Sequence, residues 1–170
     1  MGFIFMTEAL LRSHLPDADW RPLITKLGYP VGFIIITLGS QQLFTENTIT
    51  PIIPLMVSYS GEKMRKMFAL QGVALFGNIL GALLFAMAVG WTDVFDPKVQ
   101  DAFSSIGAEA LKHGFLTTLA SGIFAGWLIA LMVWMLPASG ESQVLVIAIP
   151  TYLVGLAGLA HIIVGSVEVL

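Results

Sequence analysis

The stretch Gly39-Ser-Gln-Gln-Leu-Phe-Thr-Glu-Asn-Thr-Ile-Thr-Pro51 sets eight polar side chains and a proline inside a longer apolar run, residues 30–57. A bilayer core of about 30 Å takes about 20 apolar residues to cross, so these polar groups fall near mid-membrane. A charge at the centre of such a segment costs about 2.5–3.5 kcal/mol on insertion scales, and Glu46 is therefore expected to be shielded from lipid. Pro51 lacks a backbone donor and disfavours helix at Thr50. The stretch predicts a helix broken near Thr45, because irregular backbone at membrane depth persists only where it is buried in protein or lines a cavity. Read from the residues alone, a kinked helix whose Thr and Gln side chains bond backbone carbonyls is the alternative.

The rest of the chain supports a membrane setting. Of 170 residues, 56% are hydrophobic and 11% charged, against about a quarter charged in soluble domains, and the mean hydropathy is +0.86. An ordinary water-soluble domain is excluded. Further apolar runs cover residues 1–11, 68–91, 115–136 and 144–170, and the polar stretches 12–28, 58–66, 92–114 and 137–143 read as short loops. Lengths of this kind, rich in Leu, Ala and Met, predict helices rather than a barrel, within a single transmembrane domain over residues 1–170. Residues 1–11 lack the basic flank of a signal peptide and carry Glu8, so they read as the second half of a span. The other end stops at Val169-Leu170 without a polar flank, and the expectation is a chain truncated at both ends, its first span partial and its last missing.

Other chemistries find little support. The sequence has no cysteine, hence no disulfide or thiolate site. Its net charge is −3 and its densest basic cluster is Lys63, Arg65 and Lys66, which excludes the extended basic patch that nucleic acid requires. No cofactor is expected. The density of that basic cluster favours a cytoplasmic 58–66 loop, whereas the raw count of Arg12, Arg21, Lys26, Lys98 and Lys112 favours the other face.

A second interruption lies in Gly155-Leu-Ala-Gly158-Leu-Ala-His161-Ile-Ile-Val-Gly165-Ser-Val-Glu168. A lone histidine on an apolar face is usually a satisfied core residue, but an ionisable group within a membrane segment points by default to function. A break near His161 is predicted. The order partial helix, broken helix, clean helix, then clean helix, broken helix, chain end suggests an inverted repeat of three plus three spans, with the two broken members meeting at mid-membrane. Thr45 and His161, 116 positions apart, should then converge within about a helix diameter, about 10–12 Å. The small residues Gly72, Gly77, Gly81, Ala82, Ala120, Gly122, Ala125, Gly126, Gly155, Gly158 and Gly165 suit close helix packing.

Four strings in order carry a family likeness: Leu43-Phe44-Thr45; Phe76-Gly77-Asn78 followed by Gly81-Ala82-Leu83-Leu84-Phe85; Gly122-Ile123-Phe124-Ala125 through Val133-Trp134; and His161 after its glycine-rich approach. Together they resemble the formate/nitrite transporter family over most of the chain. The resemblance implies an aquaporin-like inverted repeat of six spans, a homopentamer, a pore in each protomer, and a small monovalent anion or its acid as the permeant. It implies that Phe44 forms a constriction, that Thr45 lies near a central histidine and that His161 is that histidine. Counting from these anchors puts Phe33, Ile129 and Val154 at further constrictions, and Glu46 is an acidic addition beside the first break, as Glu168 is beside the second. Gly126, Ala160 and Gly165 stand where the family's formate channels carry an asparagine, a glutamate and another asparagine. The likeness is to a less characterised branch.

The expected function is a channel or proton-linked transporter for formate, nitrite, acetate, lactate or a similar ion, in the plasma (inner) membrane of a prokaryote. A neutral acid crosses an apolar constriction far more cheaply than its anion, and a histidine with an ordinary pKa of about 6.5 suits either supplying that proton or donating a hydrogen bond while neutral. The alternative is a non-transporting membrane subunit on the same scaffold, motivated by the missing asparagines. An intramembrane enzyme is disfavoured, since Ser166 and His161 lack a third member to orient the histidine and there is no HExxH motif.

Overall fold

A computed structural model describes residues 1–169, except for the side chains of Thr48, Glu168 and Val169. The expectations at Glu168 and Leu170 lie outside that set. The described residues form helices and no strand: α1 (Gly2–His14), α2 (Arg21–Thr25), α3 (Gly28–Leu38), α4 (Ile53–Val57), α5 (Gly61–Trp91), α6 (Pro97–Ala110), α7 (Phe115–Met135), α8 (Gln143–Leu156) and α9 (Ile162–Val169). Residues 30–57 and 144–169 are both interrupted, as α3 gives way to α4 and α8 to α9.

α5 and the 115–138 segment are long and apolar enough to span a bilayer, yet only 11% and 17% of their most apolar windows are buried. The core helix of a soluble protein would be mostly covered. Here Phe76, Phe115, Leu116 and Trp127 turn outward, as an all-α integral membrane protein requires where lipid or a neighbouring protein replaces water.

Two apolar clusters organise the interior. α3 packs between α1 and α8, and α7 against α8, gathering Ile4, Phe33, Ile129, Met132, Ile147, Val154 and Ile163. The approach of α1 and α8 to α3 depends on absent side chains: a Cβ at Gly32 would lie 2.1 Å from Ile4 Cγ1, and one at Gly155 would lie 2.6 Å from the Tyr29 ring. Packing was expected of a longer set. Of that set, Gly155, Ala82 and Ala125 are packed in the interior, whereas Gly72, Gly77, Gly81, Gly126, Gly158 and Gly165 have open space beside them.

The 92–114 stretch is not simply a loop. Most of it is α6, with Pro97 in its first turn, where a missing N–H costs nothing. Val99, Ala102, Phe103 and Ile106 follow the i, i+3, i+4, i+7 pattern and are buried, packing with Phe5, Ala9, Ala82 and Val167. The 58–66 stretch is also largely helix. α5 begins at Gly61, and the Glu62–Lys66 pair at 2.7 Å, four residues apart, supports its polar first turns. In 12–28, α2 turns the chain, and the Lys26 ammonium reaches the buried Glu8 carboxylate of α1.

Candidate functional site

Both interruptions close their first helix in the same way. At the end of α3, Gln41 N–H reaches the Ile36 carbonyl at 2.9 Å and Ser40 N–H the Thr37 carbonyl at 3.1 Å, with Ser40 left-handed at φ 52°. At the end of α8, Leu159 N–H reaches Val154 O at 3.0 Å and Gly158 N–H reaches Gly155 O at 3.1 Å, with Gly158 at φ 59°. Each is a Schellman motif, which satisfies helix-end carbonyls that lipid could not.

The chain then projects one polar side chain from each break toward the other. Thr45 Oγ1 lies 3.0 Å from His161 Nε2, and the imidazole is almost fully buried, at 6% exposure. Val164 N–H points at His161 Nδ1 at 3.3 Å. A backbone N–H only donates, so Nδ1 accepts, and the ring is a neutral tautomer carrying its proton on Nε2. That proton is donated to Thr45 Oγ1. The threonine hydroxyl keeps its own hydrogen for a third group. Phe33, fully buried, presents its ring edge-on to the imidazole with centroids 5.5 Å apart.

Phe44 is half-buried against the apolar cluster that also contains Phe33, Ile129 and Val154, the last three almost completely covered. The structure thus gathers Phe33, Phe44, Ile129 and Val154 around one core and brings Thr45 and His161 into contact. Glu46 is shielded in part. Its carboxylate accepts a 2.8 Å hydrogen bond from Thr37, one helical turn beyond Phe33 on the same face of α3. Gly126 is exposed, and the Ser166 hydroxyl donates to the Ile162 carbonyl at 2.7 Å.

Several residues that hold this site were given no role in the sequence. Asn78 of α5 bonds the backbone of Phe44 and Gln42; Gln71 of α5 donates to the Asn47 carbonyl; Ser121 of α7 accepts Ala160 N–H at 2.8 Å. Their common signal was visible: each is a polar residue in an otherwise apolar spanning run.

A family model described as "Formate/nitrite transporter" matches residues 1–170. The chain belongs to the formate/nitrite transporter family. Among its relatives, the inner membrane protein YfdC of Escherichia coli strain K12 is 39% identical over 170 residues, which cover 100% of this chain and 55% of that protein. A formate-nitrite transporter of Plasmodium knowlesi is 27% identical over 150 residues, covering 79% of this chain and 46% of the relative. The chain thus spans about half the length of these curated relatives. A solved pentameric formate channel with formate bound superposes with a TM-score of 0.85 at 22% identity, covering 98% of this chain and 67% of the channel, and establishes the shared fold.

Proposed function

We propose that this chain forms the pore-bearing part of a channel or proton-linked transporter for a small monovalent anion that crosses largely as its acid. The observation that carries the reading is the Thr45–His161 contact, a polar station formed by two broken helices inside an apolar surround. Membership of the formate/nitrite transporter family supports it, as do a relative named as an inner membrane protein and a fold shared with a pentameric formate channel. The protein on this reading is a homopentamer in the inner membrane of a prokaryote, each protomer with its own path.

The station works by replacing part of a hydration shell. A bare carboxylate entering the apolar zone of Phe33, Phe44, Ile129 and Val154 loses water without recovering a counter-charge, whereas its acid forfeits far less. The neutral His161 donates to Thr45, which orients the hydroxyl and leaves its hydrogen available to a passing oxygen. Protonating the imidazole would put a second N–H at Nδ1 and break its bond from Val164. Proton movement at this ring is therefore tied to the backbone of α9.

Proteoliposomes of the full-length protein, surveyed by stopped flow across formate, nitrite, hydrosulfide, acetate and lactate, test the reading. Flux of one or more of these is expected, with a pH dependence that His161→Asn alters without loss of assembly. Wild-type liposomes impermeable to all five would overturn it in favour of a non-transporting subunit.

A further inference from the structure

We infer that Asn78 is the positioning residue that fixes the Phe44–Thr45 pair against His161, by acting as a two-point bracket on the backbone of the first break. Within residues 68–91 of α5, Gln71 and Asn78 are the only side chains carrying an amide. They lie seven residues, two turns, apart and therefore on nearly the same face. Both amides are directed to the broken segment: Gln71 Nε2 donates to the Asn47 carbonyl, and Asn78 bonds two groups that straddle Leu43.

The chemistry fixes which way the Asn78 amide points. Phe44 N–H can only donate, so the oxygen 2.9 Å away must be Oδ1; the Gln42 carbonyl can only accept, so the atom at 3.0 Å must be Nδ2. A flipped amide would lose both bonds. One side chain thus stands in for the helical ladder at the point where α3 has ended, supplying an acceptor to the residue that opens the constriction and a donor to the residue two before it. Leu43, between the two anchored groups, is buried at 2% exposure, and its own carbonyl accepts from Glu46 and Asn47 N–H at 3.1 Å each. The bracket therefore sets the start of the tight turn whose next residue, Thr45, reaches His161. Glu46 to Thr37 and Asn47 to Gln42 tie the far end of the turn, but neither touches the peptide of Phe44.

This inference rests on the transport reading, and the test separates the two. Asn78→Leu in the full-length protein keeps the branching and the number of side-chain heavy atoms and removes both bonds; Asn78→Ser, smaller and still polar, is read if the first variant does not assemble. Hydrogen exchange of residues 42–45 in detergent is expected to quicken at least tenfold with α5 itself unchanged, a result independent of any transport. In proteoliposomes, chloride, which has no acid form at the pH used, should gain about tenfold on formate per assembled pentamer, and the pH profile of formate flux should flatten. A tenfold change corresponds to roughly 1.4 kcal/mol. Unchanged exchange at Phe44, an unchanged chloride-to-formate ratio in a protein that does carry formate, or loss of assembly in both variants would overturn the positioning role. Absence of flux from the wild type together with quickened exchange in the variant would instead remove the transport reading and leave the bracket standing.

Discussion

The two broken helices end alike and restart differently. After α8 the chain needs only residues 157–161 before α9 begins, and those are apolar apart from His161. After α3 it takes residues 39–52, with a 3-10 turn at Glu46–Thr48 and eight polar side chains, Gln41, Gln42, Thr45, Glu46 and Asn47 among them. The short break satisfies its backbone with a Schellman motif, a glycine at the left-handed position and one borrowed hydroxyl from Ser121. The long break borrows from two amides of α5 for its backbone, and from Thr37 for the Glu46 carboxylate. Where no water is present, a short interruption can be closed almost locally, whereas a long one must be held by its neighbours, and through that dependence a neighbouring helix gains control of a site it does not line.

The comparison breaks most directly at Ser121. Replacing it by valine removes the acceptor of Ala160 N–H in apolar surroundings, a loss of about 1–3 kcal/mol. Thermal unfolding of the detergent-solubilised protein should show it as a lowered midpoint; no change would mean that the short break is wholly self-satisfied. A second effect follows at Gly158, where a Cβ meets nothing within 4 Å, so that Gly158→Ala isolates the cost of a left-handed backbone. That cost is about 1–2 kcal/mol, and a neutral outcome would show that φ 59° is not held in the membrane.

Ser40 sharpens the same point from the other side, because the long break tolerates a serine where the short one uses glycine. Ser40→Gly should relieve the strain but lose part of the gain to the freer unfolded chain, leaving a net stabilisation of about 0.5 kcal/mol or less; destabilisation would assign Ser40 an unrecognised contact. The smallest effect lies outside both breaks. Hydrogen bonds from Arg12, at 3.1 and 2.8 Å, hold the Glu109 carboxyl below its usual range. A depressed folded pKa stabilises above the unfolded value, about 4.3, and that stability is lost as pH falls through the folded value. Glu109→Gln should flatten the acid limb of the stability curve only slightly, since the pair is partly exposed and screened.

Much of this was legible because lipid makes polar residues costly. The cluster from Gly39 to Pro51 marks the first break, and His161 between glycines marks the second; the repeated order of clean and broken segments is what suggests that they meet. The details that escaped depend on tertiary neighbours. Nothing local favours Ser40 over the adjacent Gly39 as the left-handed residue, and Gly28 and Gly32 acquire meaning only when Ile4 and Glu8 of α1 lie against them. α6 is a different case, since Val99, Ala102, Phe103 and Ile106 carry a helical period in plain view, obscured by reading a polar stretch between spans as a loop. Asn78 stood inside a string that marked the family, but its task could not be read until the backbone opposite it was known to lack a helical partner.

The length of α5 has one more consequence. At 1.5 Å per residue its 31 residues reach about 46 Å, beyond a hydrocarbon core of about 30 Å. The helix must tilt, protrude, or do both, and hydrophobic mismatch makes the balance depend on the thickness of the surrounding lipid. Because the amides that hold the first break are carried on this helix, the geometry of that break is coupled to the bilayer: a thinner membrane that leans α5 over would displace Gln71 and Asn78 together, and with them the peptide of Phe44.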